Sequence, residues 1–312
     1  MNLITTLSDK LPYNSCVATI GFFDGVHIGH QYLIGRLKDY ARDKNQPSLL
    51  ITFQRHPRLV MQADYQPKLL STLEEKIELL SKTGVDNILT LDFTKEMSMM
   101  SARQFMGEVL REKLSVSTLI VGYDHRFGHN REETFEDYVR YGKELGIEVI
   151  LANAFLKSDL NVSSSMVRSF LAEGEVNFAA ECLGYNYRLS GLVEKGFQVG
   201  SELGYPTANI HPNSEYKLIP KDGVYVVKVR IDKEPKEWYG MLNIGRRPTI
   251  ENGENKTIEV HVLDYQRNLY NQQITLEFIT RLRDEKKFKN RGELVNQIRK
   301  DEIMVRNIIA EL

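Results

Sequence analysis

The spacing of apolar positions divides the chain into two parts with different periods. Up to about residue 184, short apolar runs alternate with stretches in which apolar residues return every three or four positions. The runs at 16–20, 48–53, 88–91, 118–122 and 148–152 are short, rich in β-branched residues and bounded by polar or glycine positions, which is the pattern of buried strands. Between them the spacing is helical, as at Leu33, Ile34, Leu37, Tyr40 and Ala41. Ser71-Thr72-Leu73-Glu74 and Ser101-Ala102-Arg103-Gln104 have the form of capping boxes, and Gly84 follows the first helix as a stop. Five strands alternating with helices predict a doubly wound parallel sheet, in which ligands bind beyond the carboxyl ends of the strands.

Past residue 184 the segments 223–231, 238–245, 257–265 and 274–279 are β-rich and separated by polar turns such as Glu251-Asn252-Gly253-Glu254. Strands at this spacing without intervening helices predict a small antiparallel barrel or sandwich. Helical spacing returns at Leu294, Val295, Ile298, Val305, Ile308, Ile309 and Leu312, giving a closing helix over an open side of the barrel. The expected domains are 1–184 and 185–312.

Composition changes this picture little. Among 312 residues, 41 Lys and Arg oppose 42 Asp and Glu, a net charge of −1. No bulk field therefore favours nucleic acid or an anionic membrane. Cys16 and Cys182 lie far apart, which excludes a disulfide framework and a cysteine-based zinc site. The first residues lack the charged start and apolar core of a signal peptide, and no run approaches the roughly 18 to 20 apolar residues of a membrane span. A soluble cytoplasmic protein is expected, and no feature specifies an oligomeric state.

Candidate chemistry lies where strand gives way to helix. In "TIGFFDGVHIGHQYLI" (19–34), His27 and His30 stand at a helix N-terminus, where unpaired N–H groups and the helix dipole favour an anion. "NVSSSMVRSFLAEGEV" (161–176) sets Ser163, Ser164, Ser165 and Arg168 at another helix start, a set of hydroxyls and a guanidinium suited to a polyphosphate. In "GFQVGSELGYPTANI" (196–210), Gly196, Gly200 and Gly204 precede Pro206-Thr207-Ala208-Asn209 with no Lys-Ser/Thr after them, so this is not a Walker A loop. From spacing alone those glycines read equally well as turns. In "TIEVHVLDY", Ile258, Val260 and Val262 take one face of a strand and leave Glu259 and His261 on the other.

Four segments in order, "GFFDGVHIGHQYLI", "TFQRHPR", "VGYDHRFGHNR" and "NVSSSMVRSFLAEGEV", resemble the adenylyltransferase module of bacterial bifunctional riboflavin kinase/FMN adenylyltransferases. "LGYPTANI", "DGVYVVKV", "LNIGRRPTI", "IEVHVLDY" and "LRDEKKF" resemble the family's riboflavin kinase module across its length. The resemblance implies a Rossmann-like nucleotidyltransferase domain followed by a small antiparallel barrel with a C-terminal helix. It implies ATP, riboflavin, FMN and FAD as small-molecule partners, with Mg²⁺ accompanying ATP. His27 and His30 would then stabilise charge at the α-phosphoryl group as FMN attacks it. Gly21, Phe22, Asp24 and Gly25 would belong to the nucleotide site, and Asp124 would lie near the reacting groups. Ser164, Ser165 and Arg168 would hold the phosphates that leave. In the second module, Gly196, Gly200, Gly204 and Pro206 would border the nucleotide, Thr207 and Asn209 would coordinate Mg²⁺-nucleotide, and Glu259 would be the catalytic base.

The chain departs from the family pattern at several points. Phe22 replaces the usual asparagine, Gln54-Arg55 replaces an acidic residue and proline, Tyr123 and His125 flank Asp124, and Ser201 stands where arginine is common. Two rival readings follow: a kinase whose adenylyltransferase half is impaired or altered, and a flavin-binding regulatory protein without turnover.

Overall fold

The computed structural model describes residues 2–4, 13–62, 64–123, 125–129, 132–153, 156–157, 160–195, 200, 203–246 and 256–312. It divides into two compact units, Met1–Ser164 and Ser165–Leu312.

In the first unit six parallel strands form one sheet: β1 (Asn2–Ile4), β2 (Cys16–Ile20), β3 (Ser48–Phe53), β4 (Asn87–Leu91), β5 (Val116–Gly122) and β6 (Glu148–Ala152), in the order β1-β4-β3-β2-β5-β6. Five of these are the predicted strands. The sixth, β1, is three residues on the sheet edge, too short to show a period. Strands β2, β3 and β4 are buried along their whole length, as expected when helices cover both faces. Alternate residues serve the two faces. Val17, Leu50 and Ile88 pack with Ile34 and Leu37 of α1 (Ile28–Asp43). Ala18, Ile51 and Leu89 pack on the other face with Met106, Val109 and Tyr138.

The remaining helices of this unit are α2 (Pro57–Met61), α3 (Leu73–Ser81), α4 (Lys95–Ser98), α5 (Ala102–Gln104), continued as a wider coil through Phe105–Lys113, and α6 (Phe135–Leu145). The Ser101–Gln104 capping box forms as expected. The other box forms one residue later. Thr72 caps α3 with Glu75 as its partner, because the Ser71 hydroxyl is engaged by Asp24 instead. Gly84 sits beyond the end of α3 with φ of 73°, the left-handed turn that glycine enters without steric cost. A short hairpin, β7 (Leu156–Lys157) and β8 (Leu160–Asn161), precedes the second unit.

Two helices, α7 (Ser164–Glu173) and α8 (Val176–Leu183), lead into the barrel strands β9 (Arg188–Glu194), β10 (Ala208–Pro212), β11 (Gly223–Ile231), β12 (Glu237–Arg246), β13 (Lys256–Val262) and β14 (Gln273–Arg283). The strands pair antiparallel around a closed ring, β10-β13-β12-β11-β14-β9. The units divide earlier than the 184/185 boundary expected from the change of period. The Lys221 N–H donates to the Leu171 carbonyl at 3.0 Å, and Gly174 packs against the Arg281 side chain, which ties α7 to the barrel. The barrel has no open side for a helix to cover, since ring closure satisfies every edge. The final helix, α9 (Arg291–Ala310), packs outside it, where Ile298, Val305, Ile308 and Ile309 meet Val226 and Met241.

Candidate active sites

The first site is the turn between β2 and α1. The strands that follow β2 build outward on one side through β3 and β4, then on the other through β5. The carboxyl end of β2 is therefore the topological switch point, where doubly wound sheets hold ligands. The backbone of this turn is unusual, with Phe23 (φ 54°), Gly25 (φ 76°) and Val26 (φ 39°) all left-handed within four residues. For a β-branched residue such as Val26 that conformation is strained, and strain of this kind persists only where the surroundings impose it.

Buried polar groups impose it here. The Asp24 carboxylate accepts the N–H groups of Leu70 and Ser71 and the Ser71 hydroxyl, all at 2.9–3.1 Å. The Gly25 N–H donates to the Ser71 hydroxyl at 3.0 Å, and the Ser164 hydroxyl donates to the Asp24 carbonyl at 3.0 Å. Gln31 closes the turn by donating to the Val26 carbonyl at 2.9 Å. Beneath it lies Lys76, a buried ammonium that donates to the carbonyls of Phe22 (3.2 Å) and Phe53 (2.8 Å), so joining the ends of β2 and β3. Desolvation lowers its pKa to about 8, against the attraction of Asp24. Its ammonium also sits 4.1 Å from the centre of the Phe22 ring, whose edge contacts His56 at 4.6 Å. Phe22 thus has partners of its own.

On this base the two histidines stack, with ring centres 3.6 Å apart and planes 21° from parallel. His27 caps α1, its Nδ1 accepting the His30 N–H at 3.3 Å. That bond leaves the proton of the neutral imidazole on Nε2, as a donor. Gly29 permits the arrangement, because a side chain there would crowd the His27 ring and the Val162 carbonyl. A hydrogen-bond donor at a strained helix start can neutralise charge developing on a phosphoryl oxygen.

The second site lies on the outer surface of the barrel. Ile258, Val260 and Val262 are buried, while Glu259 and His261 face outward. Asn209 of β10 and Asn243 of β12 stand directly opposite Glu259 of β13 on its two sides, so register alone aligns three polar side chains in a row. The Thr207 hydroxyl donates to Glu259 Oε2 at 3.3 Å. Beside this row is a cavity of about 630 Å³, with Leu203, Met241, Phe288, Leu294 and Ile298 among its apolar wall and Glu259, Thr207 and Asn243 at its polar side. Its far wall is fastened by Arg283, which makes three bonds of 2.6–3.1 Å to the buried carboxylate of Asp301 on α9. Gln297 adds a fourth at 2.8 Å.

The pattern of the FAD synthetase family matches residues 10–166, and that of the riboflavin kinase family matches residues 183–309. A bifunctional riboflavin kinase/FMN adenylyltransferase from Escherichia coli (strain K12) is 35% identical over 301 residues, covering 96% of this chain and 95% of its own. The chain belongs to this bifunctional family. A relative of the same description from Pseudomonas fluorescens is 35% identical over 311 residues, or 99% of this chain and 98% of its own. A crystal structure described as a macrolide-efflux protein from Streptococcus pneumoniae superposes with a TM-score of 0.88 at 28% identity, covering 98% of this chain and 99% of that one. Among the described residues of this family member, no helix is long and apolar enough to cross a membrane.

Of the residues singled out in the sequence, the structure gathers His27, His30, Gly21, Phe22, Asp24, Gly25 and Ser164 about one turn. Ser165 and Arg168 follow on α7, which is counted with the second unit. Thr207, Asn209 and Glu259 come together on the barrel. Gly200 packs so closely on the Tyr205 carbonyl that a side chain would collide, and Gly204 takes φ of 81°. Both glycines thus shape the turn before Pro206. Asp124 and Gly196 lie outside the described residues. Asn243, Lys76 and the Arg283–Asp301 pair escaped the sequence reading. Lys76 and Asp301 had a signal: each is a charged residue on the apolar stripe of its helix, Lys76 with Leu80, Asp301 with Ile298 and Val305.

Proposed function

We propose that this chain phosphorylates riboflavin to FMN in its barrel and adenylylates FMN to FAD in its parallel-sheet domain, with residues 185–312 and 1–184 as the respective domains. The observation that carries the reading is the Glu259–Thr207 contact at the edge of an apolar cavity large enough for a tricyclic ring. Such a cavity, with a few convergent polar groups, is the usual form of a small-molecule site. Riboflavin placed there presents its 5′-hydroxyl to Glu259. The carboxylate accepts the hydroxyl proton as the oxygen attacks the γ-phosphorus of ATP, and ADP leaves. Thr207 and Asn209 offer neutral oxygen donors of the kind Mg²⁺ takes beside nucleotide phosphates, and we assign them to the ion that accompanies ATP. That ion would neutralise charge on the transferring phosphoryl group.

In the other half-reaction an FMN phosphate oxygen attacks the α-phosphorus of a second ATP, and pyrophosphate leaves. In this reading the His27 Nε2–H and His30 stabilise the charge that builds on the α-phosphoryl oxygens. Ser164, Ser165 and Arg168 hold the departing phosphates. Little covalent chemistry is asked of the protein: alignment of two anions and neutralisation of charge supply most of the acceleration. Neither Cys16 nor Cys182 forms a disulfide, which agrees with the reducing cytoplasm to which we assign the enzyme.

The test is incubation of the purified chain with riboflavin and MgATP, separating the flavins and measuring ADP and pyrophosphate. One ADP per FMN formed and one pyrophosphate per FAD formed is the expected result. Absence of both FMN and FAD would refute the kinase assignment, and FMN accumulating without FAD or pyrophosphate would favour the impaired-half reading.

A further inference from the structure

We infer that His261 is a positioning residue of the kinase site, holding the Pro206–Thr207 turn against Glu259 through a proton on its Nδ1. The inference rests on the kinase reading above. The ladder between β10 and β13 consists of Ala208 opposite Val260 and Asn209 opposite Glu259, and it ends there. Thr207, whose hydroxyl meets Glu259, lies just beyond its last pair. At that point His261 Nδ1 lies 2.8 Å from the Pro206 carbonyl oxygen.

The chemistry of the pair fixes the direction of the bond. A proline carbonyl can only accept, so the imidazole nitrogen facing it must carry hydrogen. The ring is steadied on its other side by an edge contact with Tyr205 at 5.4 Å. His261 is two residues from Glu259 and on the same outward face of β13. One strand therefore carries both the proposed base and the clamp that sets the distance from that base to Thr207. Where the backbone ladder stops, a side-chain hydrogen bond continues it by one step.

The consequence is a difference between substitutions of similar size. In His261→Asn the amide nitrogen takes the place of Nδ1 and can still donate to Pro206. In His261→Gln it takes the place of Nε2 instead. Riboflavin phosphorylation by the full chain is expected to keep kcat within about threefold of wild type in the asparagine variant. In the glutamine and alanine variants kcat is expected to fall roughly ten- to a hundredfold, the scale on which a small displacement of reacting groups reduces turnover. KM for riboflavin should change far less. FAD formation from supplied FMN reports on folding and should be unaltered in all three.

Equal losses in the asparagine and alanine variants, or no loss in alanine, would overturn the inference. Nitrogen-15 NMR of the histidine ring tests it without turnover, and a neutral His261 with its proton on Nε2 would overturn it as well. Wild-type chain that makes no FMN would refute the kinase reading itself, while the NMR result would still decide whether the clamp exists.

Discussion

The two candidate sites are held in place by different means. At the end of β2, His27 and His30 depend on a turn with three left-handed residues, each costing on the order of 1 to 3 kcal/mol where it is not glycine. That turn is imposed by Asp24 from inside and by Lys76 from beneath. On the barrel, Asn209, Glu259 and Asn243 need no such device, since strand register aligns them. A site placed by register inherits the rigidity of the whole ring. A site placed by a strained turn depends on a few buried polar groups, and losing one of them affects all of it.

The largest expected effect falls on the register-held site. Glu259→Gln keeps the shape of the side chain and removes the proposed proton acceptor, so FMN formation should fall by about 10²- to 10⁴-fold. Steady-state kinetics on riboflavin would show it, with thermal stability close to wild type. A next, smaller effect is expected at the turn. His27→Asn retains an acceptor for the His30 N–H, preserving the cap, but has no donor where Nε2 was. Adenylylation of FMN should then lose about 10²- to 10³-fold in kcat, the scale for removing one charge-stabilising donor. ATP affinity should change less, since the proposed interaction develops in the transition state.

The smallest effect concerns the buttress. Lys76 has a pKa near 8 when folded, against 10.5 when free. Between those values the unfolded chain binds more protons than the folded one, so folding stability rises with pH across that window. Carrying the buried charge below pH 8 costs up to roughly 3 kcal/mol at about 1.4 kcal/mol per pH unit. Urea titrations of wild type and Lys76→Met at pH 7.5 and pH 10 measure it. Wild type should gain stability relative to the methionine variant on going to pH 10. An unchanged gap would show that Lys76 is not a desolvated ammonium.

The same contrast explains how much could be read in advance. Alternation along 257–262 already separated Ile258, Val260 and Val262 from Glu259 and His261, because a strand has a period of two and one face of the barrel is buried. The strands of the parallel sheet were equally legible as short apolar runs. Asn243 was not, because which residue lies across from Glu259 is set by pairing between distant segments. The barrel strands β9 and β10 were missed for a related reason: Gly191 interrupts the first, packed against the His211 backbone, and the second is short and ends in proline. The roles of Asp24 and Lys76 depend on a loop about fifty residues away in the chain, which no local period records. Phe22 reads in the sequence only as a departure from the family pattern; that its ring is paired with Lys76 and its carbonyl with both Lys76 and Thr52 is set by residues distant in the chain.

The central claim is that residues 1–184 carry the adenylylation and residues 185–312 the kinase reaction, each without the other's residues. The most direct test measures both half-reactions side by side in Glu259→Gln and His27→Asn. The account predicts that Glu259→Gln makes no appreciable FMN from riboflavin but converts supplied FMN to FAD at the wild-type rate, while His27→Asn makes FMN normally and stops there. Loss of both reactions in either variant, or of neither, would contradict it.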